Sequence, residues 1–256
     1  MADLDRRMQY GSEAQAADID QGLRSYMLSV YNYMTMGLVL TGLAAMAVFW
    51  LATTTDPSVG VAQVKEGLYL TQIGVTLWTT PLKWVLMLAP LGMVFFLSFR
   101  INKMSVSAAQ TTFWLYAAMV GASLSTLLLV YTSESIVRVF FITAATFGAL
   151  SLWGYTTKRD ISGWGSFLFM GLIGIIIASI VNIFIGSSAL QFAISVIGVL
   201  VFAGLTAYDT QQIKEMYYAG DDETTYGRKA IMGALRLYLD FINLFVMLLQ
   251  LLGNRE

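Results

Sequence analysis

The chain has 256 residues, 57% hydrophobic and 12% charged, with a net charge of −1. That is about half the charged fraction of an ordinary soluble domain, too little for a polar skin, and the near-neutral balance excludes the basic surface that nucleic acid requires. With no histidine and no cysteine, Ser–His and Cys–His nucleophiles, thiolate or imidazole zinc sites, His-ligated haem, Cys-ligated clusters and disulfides are all excluded.

In chain order, a polar head of mixed charge, read as mobile, occupies residues 1–24. It precedes a first apolar run without a small-residue cleavage site, so that run reads as a retained helix. Seven runs follow, at Met27–Leu51, Leu82–Phe99, Ala108–Tyr131, Ile136–Tyr155, Trp164–Ile185, Ala189–Tyr208 and Ala230–Leu252. Each is near the 20 residues that span a bilayer as a helix, and none shows the strict alternation of a barrel strand. The predicted fold is an all-α membrane protein with seven transmembrane helices in one domain, residues 25–256. The one long connection, Ala52–Pro81, carries Tyr69 and Trp78, which suit the headgroup zone. In the fourth run Ala144 and Gly148, and Ala145 and Ala149, stand four apart, a pattern that predicts close helix packing.

With the amino terminus in the cytoplasm, the inside segments hold basic residues 6, 7, 24, 100, 103, 158, 159, 214, 228 and 229. The outside segments hold only 65, 83, 138 and 255, and residue 236 lies within a span. This bias places the carboxyl terminus outside.

A charged side chain at mid-bilayer costs about 2.5–3.5 kcal/mol even on the insertion scale, so the ionisable residues of the spans are the candidate functional residues. Asp209 closes the sixth run in "LTAYDTQQIK", Arg236 and Asp240 lie in the seventh in "LRLYLDFINLF", and Arg100 ends the second. Two readings stand side by side. In the first, Arg236 and Asp240, one turn apart, neutralise each other, and Asp209 caps its helix beside Lys214 or Arg100. In the second, Asp209 and Asp240 meet between adjacent helices. Depth opposes the second: counted from Ala230, Asp240 lies about 15 Å into its helix, whereas Asp209 ends the sixth. A seventh helix that enters hydrocarbon only after Gly233 would remove the difficulty. If the carboxylates meet, they share one proton and titrate in two coupled steps. Doubly ionised, they offer the hard oxygen ligands that Ca²⁺ takes.

The pieces "FGALSLWGYTTKRDISGWGSFL", "LTAYDTQQIK" and "LYLDFINLF", in that order and each in its expected helix, resemble the bacterial branch of the Bax inhibitor-1 (transmembrane Bax inhibitor motif) family. The resemblance covers nearly all spans. It implies a central last helix wrapped by the other six in two groups of three, and a pH-sensitive Ca²⁺ leak across the cell inner membrane. It also implies a pH sensor and ion site formed by Asp209 and Asp240, and an arginine latch from the second helix, for which Arg100 is the candidate. No enzyme activity and no cofactor are expected; the expected partners are the lipid bilayer, protons and Ca²⁺. The competing readings are a non-conducting membrane regulator and an intramembrane aspartyl protease. The protease is disfavoured because Asp240 follows "LYL" rather than the "GxGD" of that class.

Overall fold

The computed structural model describes the backbone of residues 2–255 and the side chains of residues 20–255. The head expected over residues 1–24 therefore lies, up to residue 19, outside the described side chains. Seven helices are long and apolar enough to cross a membrane, as expected. They are α1 (Ala2–Ala52), α3 (Leu82–Arg100), α4 (Val106–Leu124), continued after a break at Ser125 by the short α5 (Leu127–Val130), α6 (Ser133–Thr156), α7 (Trp164–Ile185), α8 (Ser188–Glu215) and α9 (Glu223–Leu252). Local chemistry sets their ends. Ser105, Thr132 and Ser187 each accept the backbone N–H three residues on, capping α4, α6 and α8, and Asp222 caps α9. Such side chains satisfy donors that a helix start leaves without partners. Gly186, at φ 65°, ends α7 in the left-handed conformation that lets the chain turn straight into α8.

The long connection is not all-α. It folds as a three-stranded antiparallel sheet, β1 (Thr53–Thr54), β2 (Ala62–Lys65) and β3 (Leu68–Leu70), in the order β1–β3–β2, followed by α2 (Gln72–Thr79). Tyr69 lies in β3 and Trp78 in α2.

The spans sort into two groups. α1, α3 and α4 pack together, and so do α6, α7 and α8, while α9 packs against α8, α1, α6 and α4. The last helix is the most buried of the seven, with 44% of its apolar stretch buried against 17–33% in the others. α3 and α7 reach the bundle chiefly through α4 and α8, so the last helix is lined directly by four neighbours.

Polar groups fasten the layers where hydrocarbon would leave them without partners. The Thr41 hydroxyl lies 2.9 Å from the Gly37 carbonyl, 3.0 Å from that of Ala117 and 2.6 Å from the Tyr238 hydroxyl, and so joins α1, α4 and α9. Tyr238 is fully buried, with Phe113 and Tyr116 edge-on to its ring. At the far end, Gln191 accepts from Asn182 at 3.1 Å and donates to Gln250 at 2.8 Å, joining α7, α8 and α9.

Small residues allow close approach, but not where the four-residue spacing in α6 predicts it. Gly148 has no atom within 4 Å of where a Cβ would stand, and Ala145 and Ala149 are exposed. The close contact on α6 is Gly154, whose missing Cβ would strike the Ala207 carbonyl of α8.

Candidate functional site

Depth decides whether Asp209 and Asp240 can meet. α8 does not stop at Tyr208; it runs on to Glu215, which puts Asp209 inside the helix and not at its cap. α9 begins at Glu223, and its first turns extend past the end of α8: Arg228 Nε donates to the Met104 carbonyl at 2.7 Å, and Gly233 is the first glycine of α9 to lie against α8, at Ile213. From that level Asp209 is four residues away, about 6 Å, and Asp240 is seven residues away, about 10 Å. The remaining offset is under one helical turn, within reach of two side chains.

Asp209 and Asp240 stand close enough for each carboxyl group to act on the other. Asp240 is 4% exposed, and its Oδ2 is a buried oxygen without a donor among the described side chains. Asp209 is half-buried. Ionised carboxylates only accept, so a direct bond between these two requires one proton.

The α8 motif is pinned around Asp209. Gln211 accepts from the Ile161 N–H at 2.9 Å and donates to the Arg159 carbonyl at 2.9 Å. Lys214 donates to the Tyr155 carbonyl at 2.9 Å and lies over the Tyr155 ring. Thus "LTAYDTQQIK" and "YTTKRDIS" form one joint: two side chains of the first hold the loop of the second, with Ile161 fully buried between. Next to Asp209, the Thr210 hydroxyl bonds Ser151 at 2.9 Å, and Ser151 bonds the Tyr31 hydroxyl at 2.6 Å.

The basic candidates fall elsewhere. Lys214 is engaged with Tyr155, not Asp209. Arg100 ends α3 exposed, without a hydrogen bond or ion pair to any described residue, so the structure does not bring it to the carboxyl pair. Arg236 makes no ion pair with Asp240; it stands close enough for its charge to act on both aspartates. It is the single exposed residue of α9 between Ala230 and Leu251. Asn243 is satisfied within its own helix, donating to the Leu239 carbonyl at 2.8 Å.

Tyr31, Ser151 and Thr210 escape a search confined to ionisable groups. Their sequence signal is weaker but present: hydroxyls inside apolar runs, where each needs a partner.

Residues 23–256 match the family described as inhibitor of apoptosis-promoting Bax1. The chain belongs to the Bax inhibitor-1 family. It is 46% identical over 237 residues to the inner membrane protein YbhL of Escherichia coli, covering 92% of this chain and 94% of that one. It is 49% identical over 239 residues to an uncharacterized protein of Rickettsia prowazekii, covering 93% and 92%. A Caulobacter vibrioides protein, also uncharacterized, is 45% identical over 260 residues and matches end to end. This is a multi-pass membrane protein of that family.

Proposed function

We propose that the protein is a pH-sensitive Ca²⁺ leak of the cell inner membrane, controlled by a proton shared between Asp209 and Asp240. The observation that carries this reading is a buried oxygen of Asp240 with no donor among the described side chains, on a helix packed against the one that carries the neighbouring Asp209. A lone buried carboxylate is expensive in a membrane and marks function by default; two in contact form a proton-holding device without histidine.

The chemistry is competition. With the shared proton in place, the pair carries one charge and presents few free oxygens. Once the proton leaves, it offers up to four oxygen ligands, and Ca²⁺ takes six to eight, the rest from water or backbone carbonyls. Among the described residues no group of three or more acidic, histidine or cysteine side chains is gathered, so the pair suits a passing ion and not a resident one. The exposed guanidinium of Arg236, whose charge acts on both aspartates, tunes the approach of ions to the pair. The amino terminus lies in the cytoplasm and the carboxyl terminus outside, as the distribution of basic residues favours. The protein conducts; no catalytic role is assigned to its carboxylates. The test is Ca²⁺ influx into dye-loaded liposomes for the parent and the Asp209→Asn and Asp240→Asn variants, across pH.

A further inference from the structure

A groove of about 530 Å³ lies between α1 and α6, two helices that do not pack against each other along their length. Its polarity is graded. Arg24 and Tyr155 stand at one end, followed by the bonded hydroxyls of Tyr31 and Ser151. Beyond them the walls are apolar except for Thr35, from Met34 to Leu38 and Phe140. Arg24 is exposed and forms no ion pair with a described residue. Gly148 lies in the wall with nothing within 4 Å of a Cβ, so the missing side chain is what opens the space.

The dimensions match one leaflet. Arg24 to Leu38 is 14 residues of helix, about 21 Å at 1.5 Å per residue. Half a bilayer with its headgroup zone is about 20–22 Å. A cationic head at the interface above an apolar slot of that depth is complementary to an amphiphile with an anionic head. The surrounding solvent is made of such molecules. We infer that the α1–α6 groove is a binding site for one anionic phospholipid, its phosphate at Arg24 and Tyr155 and one acyl chain laid along Gly148 towards Phe140.

The occupant would rest on the carboxyl pair's own supports. Phe241, in the groove floor, follows Asp240 directly, and Ser151 bonds Thr210 beside Asp209. The inference does not depend on the protein conducting Ca²⁺, and its test reads lipid, not flux.

The full-length protein is reconstituted in phosphatidylcholine vesicles with and without a minority of phosphatidylglycerol. A phosphatidylglycerol or phosphatidylcholine probe with a photoactivatable acyl chain is added, and labelled peptides are mapped. The expected result is phosphatidylglycerol labelling concentrated on Met27–Leu38 and Ala144–Leu152. Gly148→Leu fills the slot and should abolish that labelling while keeping the parent's melting temperature. Arg24→Gln should lower the preference for phosphatidylglycerol about fivefold, near the 1 kcal/mol typical of a basic residue at an anionic surface. Three results would each overturn the site: labelling of Gly148→Leu at the parent's level, equal labelling by both lipids, or crosslinks to a second copy in place of lipid.

Discussion

The same substitution at two positions of α6, six residues apart, should give opposite outcomes. At Gly154 a Cβ would meet the Ala207 carbonyl and stand 3.0 Å from that residue's Cα and carbonyl carbon. These are backbone atoms of α8, which no rotamer change can move. Gly154→Leu must therefore push the two helices apart. Overpacking of this kind costs about 1–3 kcal/mol. Parting the helices also stretches the 2.9 Å bond between Ser151 and Thr210, one turn from the contact, and strains the Tyr31 bond that depends on it. Interhelical hydrogen bonds in bilayers average about 0.6 kcal/mol, which brings the expected loss to about 2–4 kcal/mol. At Gly148 the same leucine meets open space and should leave stability unchanged or slightly raised, since glycine is a poor helix former. The assay is thermal unfolding of the detergent-solubilised variants side by side. Equal melting temperatures for the two variants, or a larger loss at Gly148, would refute the assignment of Gly154 as the contact and Gly148 as the groove wall.

Arg236→Met should insert and melt like the parent, since the residue is exposed and holds no ion pair with a described residue; misfolding rescued by Asp240→Leu would show instead that the Arg236–Asp240 pair permits insertion. Asp222 caps α9, and the Thr225 hydroxyl, aided by backbone N–H groups, holds its carboxyl below the ordinary value of 3.8. Because the folded-state value is depressed, its ionised form stabilises the protein above pH 3.8 and that contribution disappears as pH falls through the folded value. Parent and Asp222→Asn should accordingly differ in melting temperature at pH 7 and converge as the pH falls below 3.8 and through the folded-state value; a difference that grows on acidification would contradict this. A reporter fused after Glu256 should lie outside the cytoplasm, and a cytoplasmic signal would mean that the last helix re-enters.

The seven spans are legible in sequence because hydrocarbon demands about 20 apolar residues per helix; what differs is the ends of the helices and the break at Ser125 inside the third run. α8 outruns its apolar run because Gln211 and Lys214, polar residues that read as loop, are spent on holding the α6–α7 connection. α9 starts seven residues early, on a capped polar turn packed against Met104. Those extensions also bring Asp209 and Asp240 to within about one helical turn in depth, where the apolar runs alone set them further apart. The strands between Thr53 and Leu70 are only two to four residues long, too short for a period of two to register. Small residues four apart state that a helix face is narrow, but not whether a helix or a lipid lies against it, which is why Gly148 misleads and Gly154 passes unnoticed. For Arg236, spacing within one helix allows a pair with Asp240; burial, which spacing does not report, turns the guanidinium outward instead.

The carboxyl pair is tested most directly by Ca²⁺ influx into dye-loaded liposomes at several pH values, for the parent, Asp209→Asn, Asp240→Asn and the double variant. Asparagine keeps the shape and removes the shared proton. The parent should show a pH-dependent rate, each single variant should flatten that dependence, and the double variant should resemble either single, since one change already abolishes the shared state. No influx above protein-free liposomes, additive effects of the two substitutions, or a pH response that survives in the double variant would contradict the proposal that Asp209 and Asp240 work as one proton-holding pair.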